Sequence, residues 1–261
     1  MNIDLTGKKA LVGGSTSGIG KAIAIQLAQS GASVTLMSRS IDKLQATIKN
    51  LPTNNGQKHQ FLKVDFTDFE SYKTIISTYF QSNAVDILVN NTQGPSAGSA
   101  LVKSIDDYQT AFDLLFKTVV YTTNLALESM RNNKYGRIIN VASVSVKEPL
   151  SYLALSNSIR SAVTAWAKSL SMDIGPYNIT INNVLTGYFN TERIEEIIHN
   201  KSAKLGISPE EIRKNMEAEV AVKRMGEPEE YGNLVTFLAS DKAAYLSGIN
   251  IPIDGGRLKS L

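Results

Sequence analysis

Gly13-Gly14-Ser15-Thr16-Ser17-Gly18-Ile19-Gly20 stands between a short apolar segment at residues 10–12 and an apolar-periodic one at residues 23–28. Glycines at these spacings allow a tight turn and let the backbone approach a pyrophosphate closely. The helix that follows turns its free N–H groups and positive end toward the anion. The stretch therefore predicts a strand, a phosphate-binding turn and a helix, with a nucleotide cofactor as the first functional expectation.

The 261 residues contain no low-complexity or Pro/Ser-rich linker, so one α/β domain spanning 1–261 is expected. The net charge of +3 comes from Lys and Arg interleaved with Asp and Glu, not from a basic run, and nucleic acid is not implied. Cysteine is absent, which excludes disulfides and thiolate metal sites. The only two histidines, His59 and His199, are far apart, so neither a histidine metal cluster nor a histidine-based triad is expected. The first residues show no secretory pattern, and no run reaches the roughly 18 apolar residues of a membrane helix. A cytoplasmic protein without a membrane partner is the expectation.

Outward from the glycine tract, a helical pattern runs to Ser30, and residues 33–37 read as a second strand, giving a β-α-β unit. Asp42 reads as the N-cap of a helix through Lys49. Strands are predicted at 61–64 and 85–89, flanking a helix at 69–80. A long helix at about 106–131, a strand at 137–141, a helix at about 153–174 and a strand at 179–185 repeat the rhythm. A polar helical insertion, with helices near 194–205 and 209–219, occupies about 190–222; a helix after Pro228 and a strand at 249–253 complete the chain. This alternation predicts a Rossmann-type, doubly wound parallel sheet with ligands beyond the carboxyl ends of its strands.

Several of those loops resemble the short-chain dehydrogenase/reductase family over essentially the whole chain. Gly14-x3-Gly18-Ile19-Gly20, Asp65, Asn90-Asn91, Asn140-Val-Ala-Ser143, Ser247-Gly248 and Asp254-Gly255-Gly256 carry the resemblance. Arg224-Met-Gly-Glu-Pro-Glu-Glu and Phe237-Leu-Ala-Ser bring the β-ketoacyl-carrier-protein reductases nearest. The resemblance implies an oxidoreductase holding a dinucleotide on Gly14, Ser15, Thr16, Ser17, Gly18, Ile19 and Gly20. It also implies that Asp65 and Phe66 flank the adenine, that Asn91 touches the ribose region, and that Gly187 and Thr191 border the nicotinamide end. NAD-specific sites carry an acidic residue at the end of the second strand. Here Ser38 stands there and Arg39 follows. A serine does not repel a 2′-phosphate and a guanidinium binds one through paired charge-assisted bonds, so NADP(H) is favoured over NAD(H).

The chemistry departs from the family at its centre. Members usually carry a Ser, a Tyr-x3-Lys on the following helix and an Asn on the long helix before. Tyr152 lies only nine positions after Ser143, and Ser156 rather than a lysine follows it by four. The usual spacing of thirteen reaches Ser156, so Ser156-x3-Arg160 takes the place of Tyr-x3-Lys, Leu115 that of the Asn, and Thr186-Gly187 that of a Pro-Gly. Serine is a far poorer acid than tyrosine; Arg160 can still donate to the nicotinamide ribose from the helix face it shares with Ser156, but it stays charged and passes no proton.

Three readings follow. The enzyme reduces a conjugated enone or enoyl carbon while Ser143, Ser156 and Arg160 hold the carbonyl oxygen as an oxyanion. Alternatively it reduces an ordinary, 3-oxoacyl-like carbonyl, with Tyr152 or Tyr188 as substitute acid. In the third, the chain is a dinucleotide-binding scaffold or regulator without turnover. The insertion at 190–222 would form a lid over a small-molecule carbonyl or enone substrate, and the resemblance implies a homo-oligomer, usually a tetramer.

Overall fold

The computed structural model describes residues 2–260. Its first unit runs from β1 (Lys9–Val12) through the glycine loop into α1 (Gly18–Gln29), then β2 (Ser33–Ser38). The first half continues with α2 (Ile41–Lys49), β3 (Gln60–Lys63), α3 (Phe69–Phe80) and β4 (Ile87–Asn90). The cap of α2 differs from expectation. Ser40, not Asp42, accepts the Lys43 N–H, and Asp42 lies within the first turn, where a carboxylate favours the positive helix end.

The expected long helix forms as α4 (Ile105–Phe112) and α5 (Thr118–Asn133), joined without a break by a π-helical turn at Asp113–Lys117. Such single turns re-aim the side chains that follow and recur at functional sites. Leu115 lies in the middle of this one and is buried. Then come β5 (Gly136–Ser143), α6 (Ala154–Ile174), β6 (Ile179–Thr186), α7 (Glu192–Leu205), α8 (Pro209–Ala218), α9 (Pro228–Ala239) and β7 (Asn250–Ile253).

The strands form one seven-stranded parallel sheet in the order β3-β2-β1-β4-β5-β6-β7. The order reverses between β1 and β4, which opens the crevice in which such folds bind ligands. One apolar core lies under α1, α2 and α9, around Ile23, Leu44, Tyr231 and Val235. The other lies under α3, α5 and α6, around Ile76, Ala126, Leu155 and Ile159. Burial on both faces explains why β4 reads as an uninterrupted apolar run until Asn90.

A row of asparagines crosses this largely apolar sheet. Asn90, Asn140, Asn183 and Asn250 are register partners on four adjacent strands. Each donates its amide to the next, Asn90 to Asn140 at 2.9 Å, Asn140 to Asn183 at 2.9 Å and Asn183 to Asn250 at 2.8 Å. A one-residue slip of any of these strands would turn its asparagine to the opposite face and leave buried amides unpaired, so the row fixes register. The α7–α8 pair closes on its own small core of Ile194, Ile198, Ile212, Met216 and Met225.

Candidate active site

The glycine loop is shaped by close contacts that exclude a side chain. A Cβ on Gly13 would lie 2.2 Å from the Asn91 carbonyl oxygen, and one on Gly20 would lie 2.2 Å from that of Gly14. Gly14 and Gly18 adopt φ of +54° and +48°, the left-handed region that favours glycine. The Asn91 amide donates to the Gly13 carbonyl at 3.0 Å and braces the turn from β4. Ser17 begins α1 without a side-chain cap, and the first turn of α1 holds no acidic residue. The helix therefore presents uncapped N–H groups and its positive end to the loop mouth, an arrangement that fits a pyrophosphate.

The other expected cofactor residues gather around this loop in different roles. Ser15 is fully buried and its hydroxyl accepts the Met37 N–H at 2.9 Å, so its side chain ties the loop to β2. Thr16 and Ser38 share a hydrogen bond of 2.9 Å, which brings the loop beside the end of β2, just before Arg39. Partial burial works against ionisation of Asp65, yet hydrogen bonds from the Thr67 hydroxyl and N–H, together with the nearby Arg39 charge, outweigh it and lower its pKa. Phe66 packs against Tyr72 with ring centroids 5.2 Å apart and borders a small cleft beside Gly13 and Asn91. Thr191 caps α7 and sits against Gly18, joining the first turn of α7 to the glycine loop. Gly187 lies so close to Asp254 that a Cβ would come within 2.6 Å of its Cα.

The catalytic candidates lie at the end of β5, on α6 and in the segments before α6 and after β6. Ser143 ends β5, and its oxygen accepts the Ser145 N–H at 3.1 Å, leaving the hydroxyl proton free to be donated. Ser156 is buried on the first turns of α6, one helical turn before Arg160. The Arg160 guanidinium reaches back to the Val141 carbonyl. It borders a cleft with Asn90, Leu115, Asn140 and Val163. Burial lowers the Arg160 pKa, and the Tyr231 phenol opposes that shift.

Sequence reasoning gave Tyr231 no role. It comes from α9 and is fully buried, and its hydroxyl lies 3.1 Å from that of Thr186 and donates to the Val184 carbonyl at 3.3 Å. Burial raises its pKa, opposed by Thr186 and Arg160. Thr186 gives this tyrosine a side-chain partner on β6.

The two tyrosines at the mouth are held differently. The Tyr152 backbone pairs with Gly98, whose N–H donates to its carbonyl at 2.8 Å, and Lys201 of α7 lies 5.1 Å from the ring centre. The Tyr188 hydroxyl donates to Glu219 at 3.1 Å, and the Arg257 guanidinium stacks on its ring at 4.5 Å. Burial pushes the Tyr188 pKa up, Arg257 opposes this, and Tyr152 and Glu219 reinforce it. Arg257, Glu219 and Glu148 were not foreseen as functional, because their contacts join segments distant in sequence. No cluster of His, Asp or Glu able to hold a metal occurs among the described residues, and none of their helices is long and apolar enough to cross a membrane.

Residues 14–257 match a family model described as enoyl-(acyl carrier protein) reductase. The NADPH-dependent reductase BacG of Bacillus subtilis is 30% identical over 258 residues, covering 97% of this chain and 99% of BacG. The 3-oxoacyl-[acyl-carrier-protein] reductase FabG of Aquifex aeolicus is 29% identical, covering 98% and 99%. Among solved structures, L-sorbose reductase from Gluconobacter frateurii, complexed with NADPH and L-sorbose, matches with a TM-score of 0.92 at 29% identity over the whole of both chains.

Proposed function

The chain belongs to the short-chain dehydrogenase/reductase family, and we propose that, as an NADP(H)-dependent reductase of carbonyl compounds, it acts on a carbonyl conjugated to a carbon–carbon double bond. The observation that carries the finer part is the set Ser143, Ser156 and Arg160. It offers two hydroxyls and a fixed cation at the place where the family keeps a tyrosine acid, and no strong acid stands among them.

The glycine loop and the start of α1 hold the pyrophosphate, and Ser38 with Arg39 receives the 2′-phosphate. Asp65 and Phe66 border the adenine, Asn91 the ribose region, and Gly187 and Thr191 the nicotinamide end. Bound there, NADPH supplies a hydride. Ser143 donates a hydrogen bond to the substrate's carbonyl oxygen and keeps its proton, and Ser156 and Arg160 add a second donor and a positive charge. Donors held in place before reaction stabilise the charge that develops on that oxygen without further reorganisation. Addition at the β-carbon moves the electron pair of the double bond toward the oxygen, and water returns the proton at the α-carbon, so this route needs no protein acid.

Reduction of an isolated ketone does need one. Tyr188 is poorly suited, because its proton is committed to the Glu219 carboxylate and burial raises its pKa. Tyr152 remains the alternative acid. NADPH oxidation measured against a panel of enones, β-ketoacyl thioesters and simple ketones decides the matter. Turnover confined to conjugated substrates supports the oxyanion reading, and turnover of simple ketones that is lost in Tyr152→Phe supports the other. Binding of NADPH without oxidation by any of them would make the chain a dinucleotide-binding scaffold.

A further inference from the structure

The segment Asp254–Ser260 crosses from the lid to the loop that follows Ser143 and is fastened at both ends. We propose that it is a strap that couples closure of the α7–α8 lid to the setting of the Ser143 loop, with Arg257 as the positioning residue that latches it.

The body end is anchored in two ways. Leu258 packs into a small apolar cluster with Ala142, Val144, Val146 and Leu185, which flanks Ser143 on β5 and Thr186 on β6. Beyond it, one oxygen of Glu148 accepts the N–H groups of both Lys259 and Ser260 at 2.8 Å. Glu148 closes the 3-10 turn that begins at Val144, since its own N–H donates to the Val144 carbonyl at 3.1 Å. The path between the ends is also set. Asp254 accepts the N–H groups of Gly256 at 3.0 Å and Leu258 at 2.8 Å, and Gly255 and Gly256 take φ of +62° and +79° to make the turn.

At the lid end the side-chain links meet on a single carboxylate oxygen. Glu219, at the C-terminal cap of α8, receives the Arg257 guanidinium at 3.3 Å and the Tyr188 hydroxyl at 3.1 Å on the same Oε2. The guanidinium lies on the Tyr188 ring, and its side chain is only 10% exposed. The Val222 N–H, just beyond α8, donates to the Gly255 carbonyl at 3.1 Å. Because the lid has its own apolar core, its attachment to the body depends on such links more than on shared burial. Arg257 holds the strap, the lid and the loop after β6 at one point. A lid that swings away must either break that point or pull on the segment that seats Leu258 and Glu148 beside Ser143.

The coupling rests on the proposed site only for the role of Ser143, and it is measured without substrate. Amide hydrogen exchange on the full chain, alone and with NADPH, compares the parent with Glu219→Gln, Arg257→Gln and Arg257→Lys. Glu219→Gln alters a lid residue that touches neither Glu148 nor Leu258. It is expected to speed exchange about fivefold or more both in the lid helices and at the hydrogen-bonded amides of Ser145, Lys147 and Glu148, while β1 and α1 stay protected. Arg257→Gln is expected to do the same, and Arg257→Lys, which keeps the charge without the stacked fork, to fall between. Where the parent turns over a substrate, the KM rises several-fold and kcat stays within about twofold, as expected for a residue that acts through positioning. Faster exchange confined to the lid, with the Ser145–Glu148 amides unchanged in Glu219→Gln, would overturn the coupling even if the enzyme proves fully active. Unchanged exchange in both Arg257 variants would overturn the latch.

Discussion

Arg160 of α6 donates its guanidinium to the carbonyl oxygen of Val141 on β5, two residues before Ser143. The bond sets the cation against the strand that carries Ser143, the first of the proposed catalytic hydroxyls. A lysine at this position could not both reach a strand carbonyl and present further planar donors to the cleft.

Removing that side chain has two consequences. Arg160→Ala leaves the partly buried Val141 carbonyl without this donor, and the loss of such a bond costs about 1 kcal/mol, to be read as a lower urea midpoint. NADPH affinity or turnover should fall far more in Arg160→Ala than in Tyr152→Phe. Parent-like kinetics in Arg160→Ala would dismiss the pairing of Ser156 and Arg160 as the site's replacement residues.

Tyr188→Phe separates the acid role from the latch. Since the phenol proton is held by Glu219, the variant should keep kcat within about threefold, with its loss appearing in KM. A fall in kcat of about a hundredfold or more, the range of a lost general acid, would instead make Tyr188 the proton donor.

Arg39 lies beside the end of β2 with no acidic residue at Ser38 to oppose a phosphate. Arg39→Ala is expected to weaken NADPH about 10- to 100-fold, as for the loss of a hydrogen bond to a charged group, and to leave NADH binding nearly unchanged. Fluorescence titration of both nucleotides checks it, and equal losses for the two would place Arg39 away from the 2′-phosphate.

Gly20→Ala tests the cradle directly. Its new methyl would meet the Gly14 carbonyl and the Asn91 amide, both of which shape the turn. Backbone cannot retreat cheaply from such a contact, so dinucleotide binding should fall below detection while far-ultraviolet circular dichroism keeps the helical content. Retained binding would mean that the loop is not the phosphate site.

The last carboxylate of the Arg224-to-Glu230 motif predicts an acid-sensitive element. Two hydrogen bonds of 2.7 Å from Arg224, reinforced by the Glu227 N–H, pull the Glu230 pKa down to about 2. A carboxylate whose pKa is depressed in the folded state stabilises that state above its unfolded value, near 4.3, and ceases to do so as pH falls toward 2. Because the pair is largely solvent-exposed, the effect is screened and modest. Glu230→Gln should lower the melting temperature slightly near pH 7, and that difference should shrink below about pH 4 and close as pH falls through about 2. A gap that persists in acid would assign the loss to packing or to the α9 cap.

The glycine loop was readable in the sequence because its constraint is local: Gly13, Gly14, Gly18 and Gly20 follow one another, and each is required by backbone geometry. The strands were readable for the same reason, as double burial writes itself into consecutive apolar residues. The α2 cap shows the limit, since Ser40 and Asp42 can each cap and only the entry angle of the chain decides between them. The π-helical turn at Leu115 has no local signature, because it arises where α5 must re-aim over the sheet. Tyr231, Glu219 and Arg257 were hidden for another reason. Their partners lie on other elements, and a single sequence carries no record of which distant side chains meet.

The asparagine row across β4, β5, β6 and β7 constrains more than alignment. A carboxamide has one nitrogen and one oxygen, so each member can face its neighbours in only one sense once the next has chosen. To turn one would set nitrogen against nitrogen on one side and oxygen against oxygen on the other. The four side chains thus share a single orientation, and their dipoles add along a line from the exposed edge of the sheet to its middle. That line ends with Asn90, which lines the same cleft as Arg160, so the interior of the sheet carries an electrical polarity that is chosen collectively and opens on that cleft.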